Sequence, residues 1–119
     1  MGLKITLVIL ILAIAYLSLT PSETLIVGND KISHFIAYSV LTFNIGLLVI
    51  PSRRHLFVGM LAALVFGILI ECIQQYIPGR FRSIEDVYAN AIGVALGGLL
   101  TLVFGKSLLL LLRKMRIFR

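Results

Sequence analysis

Three stretches of the chain set chemically capable side chains at helical spacing. "DKISHFIAY" places Asp30, His34 and Tyr38 four residues apart, with Lys31 beside the first. Steps of four stack side chains along one helix face. "ECIQQ" carries Glu71, Gln74 and Gln75, and "GRFRSIEDVYAN" carries Arg80, Arg82, Ser83, Asp86 and Asn90. Two chemistries fit these residue types. In a catalytic reading, His34 is general base or nucleophile, Asp30 or Glu71 orients it, Arg80 stabilises a developing anion, and Asp86 is a further candidate. In a binding reading, Lys31, Arg80 and Arg82 contact phosphate or carboxylate. Tyr38, Gln74, Gln75, Ser83 and Asn90 then add hydrogen bonds. Asp30, His34, Glu71 and Asp86 would also suit a hard or borderline divalent ion. No tight spacing of the His-Glu-x-x-His kind supports it, so neither a metal nor another cofactor is expected.

Several of these residues have plainer uses. Ser83 and Asp86 form a capping-box pattern, and Asp30 suits an N-cap. Arg80 and Arg82 suit headgroup anchors, and Tyr38, Tyr76 and Tyr88 suit interface or packing aromatics. Cys72 is expected to be an inert packed thiol, because Glu71 beside it disfavours the thiolate. Glu71 is harder to explain away. It sits at the end of an apolar run, and an ionised group at membrane depth costs roughly 2.5–3.5 kcal/mol on insertion scales. It must be paired, protonated or at a wet surface. His34 is its natural partner, and a purely structural pair with Arg80 or Lys31 is the plain alternative.

The elements that must position these groups are membrane helices. The chain has 119 residues, 60% hydrophobic and 13% charged, with a mean hydropathy of +1.07. A soluble domain of this size has no interior large enough for that apolar surface. Four segments, roughly 4–19, 31–50, 56–77 and 84–105, have the length a spanning helix needs. The expected fold is therefore an all-α, four-helix transmembrane bundle, one domain over 1–119 with a basic tail over 106–119. That tail, "KSLLLLLRKMRIFR", either prolongs the fourth helix or lies at the interface. Lys4 before an apolar run also fits a signal peptide, but "YLSLTPS" is a poor cleavage site. Gly93 and Gly97 continue the Asp86–Asn90 face, and Gly67 continues the Glu71 face. Small residues at that spacing let backbones approach, so helices 3 and 4 are expected to pack there. The same glycine faces could serve a homo-oligomer.

The net charge of +6 is spread in short clusters between apolar runs. That is a topology signal and not a nucleic-acid surface. Lys4, Arg53, Arg54, Arg113, Lys114, Arg116 and Arg119 fall on one side, and Lys31, Arg80 and Arg82 on the other. The positive-inside rule then puts both termini in the cytoplasm and the two polar loops outside. Nearly all the polar groups gather at the outer end, while the inner half shows little besides Lys106 and scattered hydroxyls. The two halves are faintly alike, since Asp30–His34 and Asp86–Asn90 open the second helix of each hairpin.

In these residues the chain resembles the VanZ-like family. Asp30, Lys31, His34 and Tyr38 match its first element, Glu71 and Gln74 its second, and Gly79, Arg80, Ser83, Asp86, Asn90 and Gly93 its third. The resemblance implies a small multi-pass protein of the bacterial cytoplasmic membrane. The family takes its name from an accessory protein linked to resistance to the glycopeptide teicoplanin, and the resemblance brings no molecular activity with it. The readings left open are a binding protein for an anionic or peptidic envelope component or lipid headgroup, an enzyme on a lipid-linked or phosphate-bearing substrate, a proton relay through Glu71, and a structural partner of another membrane protein.

Orientation is directly testable. In a Cys72→Ser background, Ser22→Cys should label from outside the cell and Ser52→Cys only after the membrane is permeabilised. Labelling of position 52 from outside, with position 22 protected, would place the polar end in the cytoplasm.

Overall fold

The computed structural model describes residues 2–19, 30–50, 52–76 and 84–115, and every regular element within them is a helix. Helices α1 (Gly2–Leu19), α2 (Asp30–Val49), α3 (Arg53–Gln74) and α4 (Ile84–Leu100) form one bundle. A π turn over Thr101–Gly105 then leads into α5 (Lys106–Lys114). Three helices, and the continuous run Ile84–Lys114, are long and apolar enough to cross a membrane. The expected four-helix architecture is the one observed. The bundle measures 45 × 25 × 20 Å, against about 40–45 Å for a bilayer with its headgroups. Ile5, Ile9, Leu12, Leu61, Val65, Leu69, Leu99 and Val103 are exposed on its outside. In water that surface would aggregate, whereas in lipid it is simply solvated.

Boundaries differ from the sequence reading most at three ends, the third helix also stopping at Gln74 and not near 77. The third helix begins at Arg53 and not near 56, because Ser52 caps it: its hydroxyl accepts from the His55 N–H at 3.1 Å. The fourth does not stop near 105 but stays helical to Lys114. Its π turn sits where the Thr101 hydroxyl donates back to the Gly97 carbonyl at 2.9 Å. Such back-bonding and an inserted residue are recognised causes of a bent helix.

The closest helix pair is α2 with α4. Asn90 meets His34, Gly93 meets Phe35, Gly97 meets Ser39, and Thr101 meets Gly46. Residue numbers rise together along this series, so the two helices run parallel. A Cβ added at Gly93 would fall 2.6 Å from the Phe35 carbonyl oxygen, and one at Gly97 would fall 2.5 Å from that of Ser39. Both obstacles are backbone, which has no rotamer to move aside. The sequence had assigned this glycine face to the third helix, and the structure corrects that assignment to α2. The reason is shape. Along this line α2 offers its own carbonyls with the short side chains Ser39 and Thr42, whereas α3 reaches α4 through bulky Met60, against Gly98. At Gly67 the backbone of α3 itself comes close, under Asn90 and Tyr38.

Helix α1 has little interior of its own, with only Leu3 and Ile14 buried. Two side-chain hydrogen bonds hold its ends. Asn44 of α2 donates to the Leu3 carbonyl at 3.1 Å, and Gln74 of α3 donates to the Ser18 carbonyl at 2.8 Å. The second satisfies one of the carbonyls left over in the last helical turn.

The close parallel pair makes a prediction. Gly97→Ala should destabilise the bundle by about 1–3 kcal/mol, the usual range for overpacking, read by reversible unfolding in micelles. Ala95→Leu, on the exposed side of the same helix, should have little effect. Equal tolerance of both would contradict the backbone contact.

Candidate functional site

Four of the candidate residues meet at one end of the bundle, brought there by three helices. His34 enters from the first turns of α2, Glu71 from the last turn of α3, and Asp86 and Asn90 from the first turns of α4. Glu71 is 1% exposed and Asn90 2% exposed, so both carry polar atoms into the interior. The ion-pairing side chains of His34 and Asp86 are also mostly covered, at 10% and 13% exposed. Asp86 is favoured where it is by the partial positive charge at the N-terminus of α4.

His34 organises the cluster. Its Nδ1 lies 2.8 Å from Asn90 Oδ1. A carbonyl oxygen can only accept, so Nδ1 carries the proton and donates. The ring therefore has a fixed orientation, and its Nε2 looks toward Asp86 Oδ2 at 4.0 Å. A ring nitrogen of His34 and one carboxylate oxygen each from Glu71 and Asp86 lie within 4.8 Å of one another. These three are the group of metal-ligating type among the described residues. Below them the ring of Tyr38 lies parallel to that of His34, at an interplanar angle of 1° and a centroid distance of 6.2 Å. Phe66 flanks Tyr38 on its other side, also with a 6.2 Å centroid distance.

The cluster holds unused hydrogen-bonding capacity. The hydroxyls of Tyr38 and Thr42 and the amide nitrogen of Asn90 are buried and have no partner among the described residues. Leaving such a group unmade costs about 1–3 kcal/mol. Asn90 Nδ2 and the edge of the Tyr38 ring come together over Gly67, where an added Cβ would lie 2.9 Å from the first and 3.0 Å from the second. Gly67 therefore clears the space in which these groups sit.

The remaining candidates divide. Gln74 is buried, but its amide is spent on the Ser18 carbonyl, and Gln75 is an exposed C-cap residue. Tyr76 and Tyr88 are exposed, while Cys72 is half-buried and free. Arg80, Arg82 and Ser83, and the side chains of Asp30 and Lys31, lie outside the described residues. Three polar residues of the inner half escaped the sequence reading: Thr42, Asn44 and Thr101 are all buried. A signal for Thr42 was present, since it continues the His34–Tyr38 register by another step of four. At that far end, Arg53, Lys106 and Ser52 help line a cleft of about 200 Å³.

A second feature adjoins the cluster. Ile32, Phe35, Tyr88, Ala89 and Ile92, with Glu85, line an apolar groove of about 350 Å³ between α2 and α4. It lies at the height of the polar site, since Phe35, Glu85 and Ala89 are the chain neighbours of His34, Asp86 and Asn90.

Comparison with known proteins converges on one family. A family model described as VanZ/LLP1 matches residues 13–105, a range that contains the whole cluster. The chain is also similar to an uncharacterized protein, C11E3.10, of the fission yeast Schizosaccharomyces pombe. The two are 33% identical over 113 residues, covering 92% of this chain and 68% of the relative. No solved structure matches.

The geometry ranks two substitutions. Asn90→Ala removes the acceptor of a buried imidazole N–H and should cost about 1–2 kcal/mol, toward the upper end for polar contacts between membrane helices. Glu71→Gln keeps shape and exchanges a buried charge for a neutral amide that still hydrogen-bonds, so it should cost less than Asn90→Ala. Unfolding of the two variants in micelles checks the order; a costly Glu71→Gln beside a silent Asn90→Ala would reverse the account.

Proposed function

We propose that the chain, which belongs to the VanZ/LLP1 family, is a multi-pass membrane protein that binds a phosphate-bearing lipid. The headgroup enters the His34, Glu71, Asp86 and Asn90 cluster, and one acyl chain lies in the groove between α2 and α4. The observation that carries this reading is the juxtaposition of a buried polar cluster with an apolar groove of about 350 Å³ on the same two helices. An amphipathic ligand needs both. Lys31, Arg80 and Arg82, which stand in sequence next to the helix ends that form the cluster, supply cationic contacts to the phosphate. The buried donors of Tyr38 and Asn90 supply hydrogen bonds.

The finer biological reading follows from the family resemblance and the charge pattern. The protein lies in a bacterial cytoplasmic membrane, termini inside, with its site on the envelope face. A role in glycopeptide resistance is what the family's name implies. The similarity to a fission-yeast protein favours a ligand common to bacterial and fungal membranes, and a phospholipid headgroup has that chemistry while a glycopeptide does not. An enzyme on the same ligand is the second reading. It is favoured by the orientation of His34, whose Nδ1 is held by Asn90 and whose Nε2 faces Asp86, the arrangement of a positioned general base.

Native mass spectrometry from micelles tests the binding. The wild type should retain phosphatidylglycerol and not a diacylglycerol with the same chains. Glu71→Gln and Arg80→Ala should each lose at least tenfold in retention, and Arg80→Lys should not restore it if contact is bidentate. Arg54→Ala, at the opposite end, should behave as wild type. Equal retention by Glu71→Gln at normal folding would leave the cluster a structural clasp between helices. Release of a hydrolysed headgroup during incubation, abolished in His34→Ala, would promote the enzyme reading.

A further inference from the structure

The gap between His34 and its acidic neighbours has an unusual length. At 4.0 Å, Nε2 to Asp86 Oδ2 is too long for a hydrogen bond, for which about 2.7–3.2 Å is usual. It is about half an ångström wider than the roughly 3.4 Å that two donors of a tetrahedral ion keep between them. Since Nδ1 already carries a proton to Asn90, a neutral His34 turns a lone pair toward a carboxylate oxygen. A ring lone pair and a carboxylate oxygen that face each other are donors of the type a metal ion takes. Glu71, from a different helix and almost fully buried, offers a third donor: a ring nitrogen of His34 and one oxygen each of Glu71 and Asp86 all lie within 4.8 Å of one another.

We propose that His34 Nε2, one oxygen of Glu71 and one oxygen of Asp86 bind a first-row divalent ion of the manganese-to-zinc range. One imidazole nitrogen with two carboxylates is a borderline donor set. It is harder than the thiolate sites that zinc takes structurally and softer than the all-oxygen shell that magnesium prefers. Tetrahedral closure needs the donors to come to about 3.4 Å apart, a closing of up to about 1.4 Å for a pair now 4.8 Å apart, within the reach of side-chain torsions. The second oxygen of each carboxylate stays available to other partners, so the ion does not require either acid to be otherwise unengaged. Asn90 has the role usual for an outer partner of a metal-bound histidine: it accepts from the far ring nitrogen and fixes the tautomer that leaves Nε2 to the metal. The buried amide nitrogen of Asn90 and the hydroxyl of Tyr38, both without a partner among the described residues, stand beside this site as donors for whatever completes the ion's shell.

The ion would also change what the cluster attracts. The carboxylates accept from headgroup hydroxyls but give a phosphate nothing to bind, whereas a divalent ion held by them offers the phosphate a ligand position. The proposal adds an ion to the site described above and stands whether or not the site's ligand is a lipid.

The test uses the full chain in lipid-free detergent. Protein stripped with a chelator is dialysed against Mn²⁺ or Zn²⁺, and bound metal is counted by inductively coupled plasma mass spectrometry. The wild type should hold about one equivalent, while His34→Ala and the near-isosteric Asp86→Asn should hold less than about a tenth of that. Asn90→Ala should weaken affinity about 10–100-fold, the usual penalty for losing an outer partner. His55→Ala, the other histidine and exposed at the opposite end, should match wild type. Metal should raise the melting temperature of the wild type and not of Asp86→Asn, because only a ligand that prefers the folded state stabilises it. If His34→Ala does not fold, Asp86→Asn decides. Less than a tenth of an equivalent in the wild type, or full retention by Asp86→Asn, would overturn the site. Loss of lipid retention with metal binding intact would strike the lipid reading alone.

Discussion

At Gly93 and Gly97 two parallel helix backbones come close enough that a single methyl group on either glycine would press into a carbonyl of the other helix. Everything of chemical interest hangs on that approach. In lipid no hydrophobic force draws one apolar helix to another, so close van der Waals contact and polar contacts between helices must do so. The glycines provide the first, and the provision has a direction. Because α2 and α4 run parallel in this register, their first turns lie side by side. His34 then reaches Asn90 at 2.8 Å, and Asp86, one turn before Asn90, faces the remaining nitrogen of the ring.

The third wall depends on a different small residue. Gly67 lets α3 slide under Asn90 and Tyr38, and Glu71, one turn further along, thereby turns inward. Three residues separate Glu71 from the end of α3, so it sits about 5 Å inside the helix terminus. That depth makes desolvation real while keeping the carboxylate close to the bundle's polar end. An acid is buried here beside a mostly covered imidazole and two donors that have no partner among the described residues. Apolar residues of the same volume are often as stabilising, or more so. Burying such groups carries a desolvation cost that a bound ligand with matching polar groups would offset. Packing elsewhere is conventional, with α1 carried on the bundle by hydrogen bonds at its two ends, from Asn44 and Gln74.

Much of this was legible before any coordinates. Four apolar runs set the number of spans, and the helical spacing of Asp86, Asn90, Gly93 and Gly97 marked a face of close contact. The inward turn of Glu71 followed from the cost of leaving it in lipid. What the chain did not disclose was which helix the glycines would face. That depends on the partner's surface, and the short side chains Ser39 and Thr42 on α2 were the overlooked clue. Gln74 was read as a ligand contact because its type allows that use. Its actual partner, the Ser18 carbonyl, is a backbone atom, and sequence spacing cannot show where a distant backbone will pass. The faint likeness of the two hairpins gained a physical meaning, since its matched positions, His34 and Asn90, are hydrogen-bonded to each other.

The contact between His34 and Asn90 can be observed without any ligand or activity. Solid-state NMR on protein in bilayers, with ¹⁵N-labelled histidine and ¹³C-labelled asparagine, reports both the imidazole tautomer and its neighbours. The account predicts a protonated Nδ1 with a through-space cross-peak to the side-chain carbonyl carbon of Asn90, and loss of that cross-peak in Gly97→Ala. A His34 ring with no asparagine neighbour, or a cross-peak indifferent to Gly97→Ala, would contradict the claim that the glycine contact builds the site.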